Sequence, residues 1–309
     1  MKYLSFFLSL LITLFFLELF VRFYIDDGFN YEIEMMKYAN NFKTISKNKE
    51  IGIEHKKEVK GHLMGADISL NSDGFRSNQN LTTESKKILM LGDSMTFGWG
   101  ARNPFANILN EKLDGFEVIN AGIGNTNTVM QIENFFKNFR EKYDYEIIFL
   151  NFFINDFEDV KIIKPNIIQK YSFLYTYLSN HFNTILIKFK INKSWDKFYA
   201  ESYNNNAIKD TTLEKIFKLN EYCKDKNIKL IIHNIPELRD LKNYKFKKET
   251  LIIEKFAENN NIYFINSHSA LINYKENDLW VTKYDHHAND KAHRIMAEFI
   301  YSKIQKFLN

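Results

Sequence analysis

The segment 92–98, with the sequence GDSMTFG, places a serine where a nucleophile is typically found. Ser94 stands three residues after the end of the apolar run 87–91, which is typical of a buried strand. The loop after the carboxyl end of such a strand lies in the crevice where open α/β sheets bind their ligands. An Asp-Ser pair in this place is also a common helix N-cap, so the segment alone leaves both interpretations open.

A base that could activate this serine occurs near the end of the chain, where residues 284–289 read YDHHAN. A serine hydroxyl is a poor nucleophile until a base takes its proton, and the base needs an acid that fixes its tautomer. Asp285 lies two residues before His287 and can supply that acid. Ser94, His287 and Asp285 therefore predict acyl transfer through a covalent acyl-enzyme.

The same C-terminal segment contains residue types that bind metals, which leaves a second chemistry to consider. The candidate ligands are His286, His287, His293, Asp285 and Asp290. The His-Glu-x-x-His spacing of zinc hydrolases is absent, and Cys223 is the only cysteine. We therefore expect no metal and no cofactor, and we interpret His293 as a helix-packing residue and His286 as a loop residue.

Five short apolar runs, separated by stretches of helical period, predict the elements that position these residues. The predicted strands are 87–91, 117–119, 147–150, 229–232 and 262–265, and the predicted helices are 105–113, 129–143, 212–226, 247–259 and 290–308. Alternation of strand and helix is typical of a parallel sheet covered on both faces. We predict an α/β fold, a three-layer α/β/α sandwich with a mostly parallel five-stranded sheet.

The first 25 residues predict a transmembrane helix. Residues 3–17 carry no charge, and the apolar character continues past Glu18 to Val21. A helix of that length spans about 28 Å, which is roughly the thickness of a bilayer's hydrocarbon core. No small-residue cleavage site follows, so we expect an uncleaved signal anchor over residues 1–25. Lys2 on the cytoplasmic side would place the rest of the chain outside.

The remainder of the chain predicts one catalytic unit, residues 87–309, with an insertion at about 157–208. Residues 26–86 are mixed and polar and are interpreted as a membrane-proximal spacer. Of the 309 residues, 45% are hydrophobic and 26% are charged, which is typical of a folded globular protein. The net charge of +4 comes from scattered lysines, so no nucleic acid partner is expected.

Four blocks of sequence together resemble the SGNH (GDSL-like) hydrolases. They are GDS at 92–94, NAG at 120–122, ND at 155–156 and DHHAN at 285–289. In addition, residues 71–76, with the sequence NSDGFR, resemble a segment that precedes the core in membrane-anchored bacterial members. The resemblance covers about residues 87–300 and implies an SGNH, flavodoxin-like form of the predicted sandwich.

The resemblance also implies a role for each matching residue. Ser94 would be the nucleophile and His287 the base, while Asn155 would donate its side-chain amide to the oxyanion. The acid commonly stands three residues before the histidine, but Tyr284 occupies that place, so Asp285 is assigned. The loop after Asn120 is one residue shorter than usual, so the backbone donor is Gly124, with Asn125 as the alternative.

These features lead us to expect a serine esterase that acts on O-acyl esters, O-acetyl in particular, on envelope or extracellular glycans. A small acyl ester is the simplest form of such a substrate. The expected location is the bacterial inner membrane, with one span and an extracytoplasmic catalytic domain. Two alternatives remain: an O-acyltransferase that uses the same site beside a membrane acyltransferase partner, and a non-catalytic envelope assembly or binding protein.

Overall fold

The computed structural model of the chain describes residues 2–82, 84–189, 191 and 194–308, apart from the side chains of residues 180 and 195. The strands are β1 (Lys43–Ile45), β2 (Ile53–His55), β3 (Lys60–Leu63), β4 (Ala66–Ser69), β5 (Lys86–Gly92), β6 (Phe116–Gly122), β7 (Tyr145–Phe152), β8 (Lys229–Asn234) and β9 (Tyr263–Asn266). Strands β5 to β8 contain the first four predicted runs and extend beyond them, whereas β9 begins one residue after the start of the predicted run 262–265 and ends one residue after it.

Helices account for most of the remaining described residues. They are α1 (Lys2–Phe20), α2 (Tyr31–Asn41), α3 (Ser94–Phe97), α4 (Phe105–Lys112), α5 (Thr128–Asn134), α6 (Ile167–Tyr171), α7 (Phe173–Lys188), α8 (Trp195–Ser202), α9 (Asn206–Asp225), α10 (Lys247–Asn259), α11 (His268–Leu271) and α12 (Asp290–Ile304). Two π-helical segments, 21–25 and 135–139, continue α1 and α5, and short 3-10 turns cover 154–157, 276–278 and 305–307. The five predicted helices correspond to α4, α5, α9, α10 and α12.

A five-stranded sheet in the order β6-β5-β7-β8-β9 forms the centre of the fold, and all its strands are parallel. This confirms the predicted α/β class. Strand β5 lies between β6 and β7, so the loops that follow these three strands meet at one edge. In register, Gly92 pairs with Gly122, and Leu91 pairs with Leu150. The helix pairs α4 with α12 and α5 with α9 flank the sheet.

Residues 26–86 are folded onto the catalytic unit and do more than the spacer expected from the sequence. They contain α2 and the antiparallel hairpins β1-β2 and β3-β4. Their apolar side chains form a second small core with Phe97 and Trp99, which follow the serine; its other members include Tyr38, Phe42, Leu63, Ile68 and Leu70. The sequence did not reveal this packing. Each short hairpin buries only a few side chains, so the composition of residues 26–86 stays polar.

Helix α1 differs from every core helix in its exposure. None of its residues is buried, and its mean hydropathy with the π-helical turn is 2.4 over the best window. It is the one helix of the described residues that is long and apolar enough to cross a membrane. A helix of the soluble core would be covered by the domain, and this helix is not.

Candidate active site

Ser94 is delivered to the sheet edge by a tight turn from strand to helix. Asp93 is the N-cap of α3, and its Oδ1 accepts a hydrogen bond from the Met95 N–H at 2.9 Å. Gly98 ends the helix with φ of +80°, a left-handed conformation that glycine adopts without strain. The predicted N-cap and the predicted nucleophile are therefore neighbouring residues of the same turn.

The three residues predicted to form a triad are joined by two hydrogen bonds, from the serine to the histidine and from the histidine to the aspartate. Ser94 Oγ is 2.9 Å from His287 Nε2, and His287 Nδ1 is 2.6 Å from Asp285 Oδ1. The same carboxylate oxygen also accepts the His287 backbone N–H at 3.1 Å. With Asp285 accepting at Nδ1, the Nε2 lone pair faces the serine hydroxyl, which is the orientation a general base requires.

Asp285 is held in place by a tryptophan that the sequence analysis missed. The Trp99 indole N–H donates to Asp285 Oδ2 at 2.8 Å, and the Asp285 N–H donates to Thr282 Oγ1 at 3.0 Å. Burial alone would raise the pKa of Asp285, but His287 and the hydrogen bonds from His287 and Trp99 outweigh it and lower the pKa. The carboxylate is thus ionised and oriented toward the imidazole.

The His287 side chain is 19% exposed and lies beside the buried carboxylate of Asp285. Burial disfavours its charged form, yet the charge and hydrogen bond of Asp285, helped by Asp93, raise its pKa above the ordinary value, against a small opposing effect of Arg239. The same environment stabilises the imidazolium that forms when His287 accepts the serine proton. Below that raised pKa the ring is protonated and cannot act as a base.

Two backbone N–H groups point to an oxyanion hole at this site. Neither the Ser94 N–H nor the Asn125 N–H donates to an acceptor within the described part of the chain. Asn125 lines the cleft beside Ser94 and has φ of +63°, a left-handed conformation that asparagine tolerates. The Gly124 N–H, in contrast, donates to Tyr38 Oη at 3.1 Å. This geometry favours Asn125 over Gly124, the residue first assigned.

Asn155 lies on the 3-10 turn after β7 and lines the same cleft. Its amide lies beside the buried Asp93 carboxylate and helps to lower the pKa of that group, which burial raises overall. Asn155 Oδ1 is buried and has no partner among the described residues. Because Nδ2 is the only side-chain donor of Asn155, it is the atom that bonds to Asp93.

A chain of hydrogen bonds from Gly74 through His55 and Tyr38 to Gly124, called the Tyr38 relay below, holds the loop that carries Asn125. His55 Nδ1 donates to the Gly74 carbonyl at 2.9 Å, so His55 Nε2 accepts the Tyr38 hydroxyl proton at 2.6 Å. Burial lowers the pKa of His55 to about 3, so the ring is neutral at physiological pH. Tyr38 Oη is thereby free to accept the Gly124 N–H, which fixes the loop.

Lys43 supports the same loop from beneath. Its Nζ donates to Asn125 Oδ1 at 2.9 Å and to the Gly124 carbonyl at 3.2 Å, and it lies 4.4 Å from the centre of the Tyr38 ring. Burial lowers the pKa of Lys43 to about 7. The loop is therefore positioned by side chains that precede the catalytic unit in sequence.

Arg76, the last residue of the NSDGFR segment, braces the turn that follows Ser94. Its guanidinium donates to the carbonyl oxygens of Phe97, Gly98 and Ala101 at 2.5–2.6 Å and is almost fully buried. Burial lowers the pKa of Arg76 to about 9. One side chain thus binds three carbonyls of α3 and its turn, of which the Gly98 carbonyl also accepts the Ala101 N–H at 3.0 Å.

The cleft above the triad has a volume of about 990 Å³. Tyr31 forms one wall, with its ring stacked on His287 at a centroid separation of 5.9 Å. Opposite walls come from the insertion, including Ile187 of α7. Glu158 also lines the cleft, and burial followed by the charge of Asp93 raises its pKa to about 7. The space is large enough for a sugar residue beside the serine.

The remaining candidate residues have structural roles. His233 of β8 is buried and hydrogen-bonds to Asn151 Oδ1 and Ser267 Oγ in the core. His293 Nδ1 accepts the Phe105 N–H at 3.2 Å, as expected for helix packing. His286 lies at the cleft edge against Trp280. No group of three or more potential ligands that could hold a metal ion occurs within the described residues.

The residues that sequence reasoning missed are Tyr31, Tyr38, Lys43, His55 and Trp99. Each acts through a contact with a residue distant in sequence, and no local motif marks it. Trp99 follows Gly98 directly, but nothing in the sequence pairs it with Asp285. Only Arg76 belongs to a segment that the sequence had singled out.

No protein-family model and no curated protein matches the chain. Solved structures similar to it include an acetyl xylan esterase, with 16% identity, 71% of this chain and 99% of that chain covered and a TM-score of 0.45. Another is an acetylxylan esterase from Geobacillus stearothermophilus, with 13% identity, 73% and 97% covered and a TM-score of 0.44. A third is a member of the lipolytic protein G-D-S-L family from Veillonella parvula, with 15% identity, 71% and 97% covered and a TM-score of 0.44. Similarity at this level establishes neither an activity nor a substrate.

The acid of the triad can be tested through the pH profile. In the unchanged protein, kcat/KM for an ester should fall as the pH decreases through a pKa above the ordinary histidine value, because His287 must be neutral. Asp285→Asn should lower kcat by roughly 10⁴-fold and move this acidic limb to lower pH. Trp99→Phe, which removes one hydrogen bond to Asp285, is the milder control. Unchanged turnover in Asp285→Asn would mean that another group orients the imidazole.

The relay beneath the oxyanion loop predicts a defect from a change outside the catalytic unit. Tyr38→Phe leaves the buried Gly124 N–H and His55 Nε2 without a partner, which should cost about 1–3 kcal/mol of unfolding free energy. Because the loop that carries Asn125 also loosens, kcat should fall more than KM rises. Tyr274→Phe, at an exposed site, is the matched control. Equal kcat in both variants would mean that Tyr38 does not position the loop that carries Asn125.

Proposed function

We propose that this chain is a serine esterase of SGNH type that hydrolyses O-acyl esters, O-acetyl in particular, on envelope or extracellular glycans. The observation that carries the proposal is the sequence of contacts from Ser94 through His287 to Asp285, beside two unpaired backbone N–H groups. A turn that only caps α3 through Asp93 would need neither the ordered imidazole nor the free donors.

The chemistry follows from these positions. His287 Nε2 takes the Ser94 proton as Oγ attacks the ester carbonyl carbon, and the carbonyl oxygen becomes an oxyanion. The N–H groups of Ser94 and Asn125 and the amide of Asn155 would donate to that oxyanion, each typically contributing about 3 kcal/mol. The imidazolium then returns the proton to the leaving alcohol oxygen, and an acyl-Ser94 ester remains.

Water completes the cycle by the reverse sequence. His287 removes a proton from a water molecule, the resulting oxygen nucleophile attacks the acyl carbon, and the proton goes back to Ser94 Oγ as the acid leaves. If a sugar hydroxyl replaced water, the same steps would give acyl transfer. Acceptor access to the cleft therefore separates esterase from transferase.

We also propose that α1 is an uncleaved anchor in the bacterial inner membrane, with the site on the extracytoplasmic side. Support comes from two residues near the end of this helix, Glu18 and Arg22, whose side chains hydrogen-bond to the folded domain. Glu18 accepts hydrogen bonds from Ser172 Oγ and from the N–H groups of Phe173 and Leu174, which open α7. Arg22 donates to the Tyr171 carbonyl at 2.5 Å. Cleavage after this segment would remove the Glu18 carboxylate that accepts the first two N–H groups of α7.

The esterase proposal is tested with a small activated acetyl ester such as p-nitrophenyl acetate. Full-length protein in detergent should hydrolyse it, and Ser94→Ala should abolish turnover because the attacking oxygen is gone. Ser302→Ala, on the exposed side of α12, is a matched control and should retain full activity. Equal rates in the unchanged protein and in Ser94→Ala would favour the non-catalytic alternative. With glycan acceptors present, acylated sugar formed at the expense of acetate would favour the transferase.

The anchor is tested by fractionation and terminal sequencing. Full-length protein should stay in the membrane fraction after alkaline extraction, and protease added outside the cytoplasm should reach residues beyond Asp27. A mature chain that begins after Leu17 would replace the anchor with a cleaved signal peptide. Retention of residues 1–25 together with protease protection would reverse the orientation.

A further inference from the structure

The insertion exposes an apolar stripe that the triad does not use. Outside α1, most of the exposed large apolar side chains of the described residues lie between 162 and 198. On α7 and its C-terminal end they recur from Tyr175 to Phe189 at spacings of three and four, which is one face of a helix, and Tyr171 at the end of α6 precedes them. The stripe consists of Tyr171, Tyr175, Leu178, Phe182, Ile185 and Phe189. Phe182 is 62% exposed and Phe189 74%, far above core side chains.

The opposite face of α7 packs against the domain. Thr176 is buried, and its hydroxyl lies 3.3 Å from Met36 Sδ of α2. Asn183 and Ile187 line the cleft. The helix is therefore fixed by its inner face, and the exposed stripe is held in one direction.

Within the insertion, the segment 160–195 carries charge of one sign only. Between residues 160 and 195 the sequence contains six lysines, at 161, 164, 170, 188, 190 and 193, and no aspartate or glutamate. A helix with an apolar face and flanking lysines is typical of one that lies in the interface of an anionic bilayer. A stripe that paired with another soluble protein would not require the exclusion of every acidic residue.

The stripe is continuous with the anchor. Glu18 caps the N-terminus of α7, and the Arg22 guanidinium lies 4.1 Å from the centre of the Phe173 ring. Because Glu18 and Arg22 lie near the end of a helix long enough to span the hydrocarbon core, α7 begins at the level of the outer interface. From there it runs toward the cleft, which Ile187 lines.

We propose that the stripe on α6 and α7 lies in the outer interface of an anionic bilayer, so that one wall of the catalytic cleft rests on the membrane surface. The lipid is the occupant of this face, and the lysines contact its anionic headgroups. This inference rests on the proposed anchor but not on esterase activity. It places the cleft mouth beside the membrane plane, where a membrane-bound glycan is presented.

The test uses full-length protein in phosphatidylcholine vesicles that contain phosphatidylglycerol. Single cysteines are introduced by Phe182→Cys in the stripe, Leu11→Cys in α1 and Ser302→Cys in α12, and labelled with the fluorophore NBD. The native Cys223 is buried, and burial raises its pKa to about 12, so it should stay unlabelled. Quenching by spin-labelled lipid reports contact with the bilayer.

Labels at positions 182 and 11 should both shift their emission to shorter wavelength and lose intensity with spin-labelled lipid, whereas the label at 302 should do neither. Quenching at 11 but not at 182 would overturn the inference and leave the anchor intact. No quenching at 11 would refute the anchor itself. A blue shift at 182 without quenching would mean that protein covers the stripe, a second copy or another partner, and would also overturn the inference.

The charge argument has its own variant. Lys164→Glu, Lys170→Glu and Lys188→Glu combined should reduce quenching at 182 in vesicles with phosphatidylglycerol, and the reduction should shrink as salt rises. The matched control reverses three exposed lysines of α10, namely Lys247, Lys248 and Lys255, and should leave quenching unchanged. Equal effects of the two triple variants would show that total charge, and not this face, controls the contact.

Discussion

The site depends on the close approach of two backbone segments at one edge of the sheet. Gly122 ends β6 directly beside the turn that follows Ser94, and a Cβ built on it would lie 2.2 Å from the Phe97 nitrogen. No side chain fits in that space, so glycine is required for distance and not for φ. Because the two loops touch, the serine and the Asn125 N–H can face one carbonyl. The Arg76 bonds and the Tyr38 relay act on these same two loops.

The catalytic unit is completed by residues that precede it. The loops at the carboxyl edge of this sheet carry Ser94 and Asn125. Their outer sides need other side chains to pack against and hydrogen-bond with. Here the partners come from α2 and two small hairpins, which cover the turn after Ser94 and the loop before Asn125. Segment 26–86 therefore forms the floor of the site, and Tyr31 forms part of its wall.

Much of the fold and the triad could be predicted because their signals are local. The strands are continuous apolar runs, and Ser94, Asp285 and His287 stand in short motifs at element ends. The Tyr38 relay could not be predicted, because Tyr38 and Gly124 are separated by 86 positions and no sequence motif links them. The choice between Gly124 and Asn125 was open for the same reason. It depends on which N–H a distant tyrosine occupies.

The stacking of Tyr31 on His287 joins residues near opposite ends of the chain. Contacts of such long sequence separation are slow to form, because the entropy cost of closing a large loop comes before the contact can stabilise the chain. During synthesis Ser94 emerges long before His287, so a growing chain carries a nucleophile without its base. The reactive constellation arises only when the last helix docks. If the triad acts as proposed, the serine can therefore become reactive only after almost the whole chain has been made.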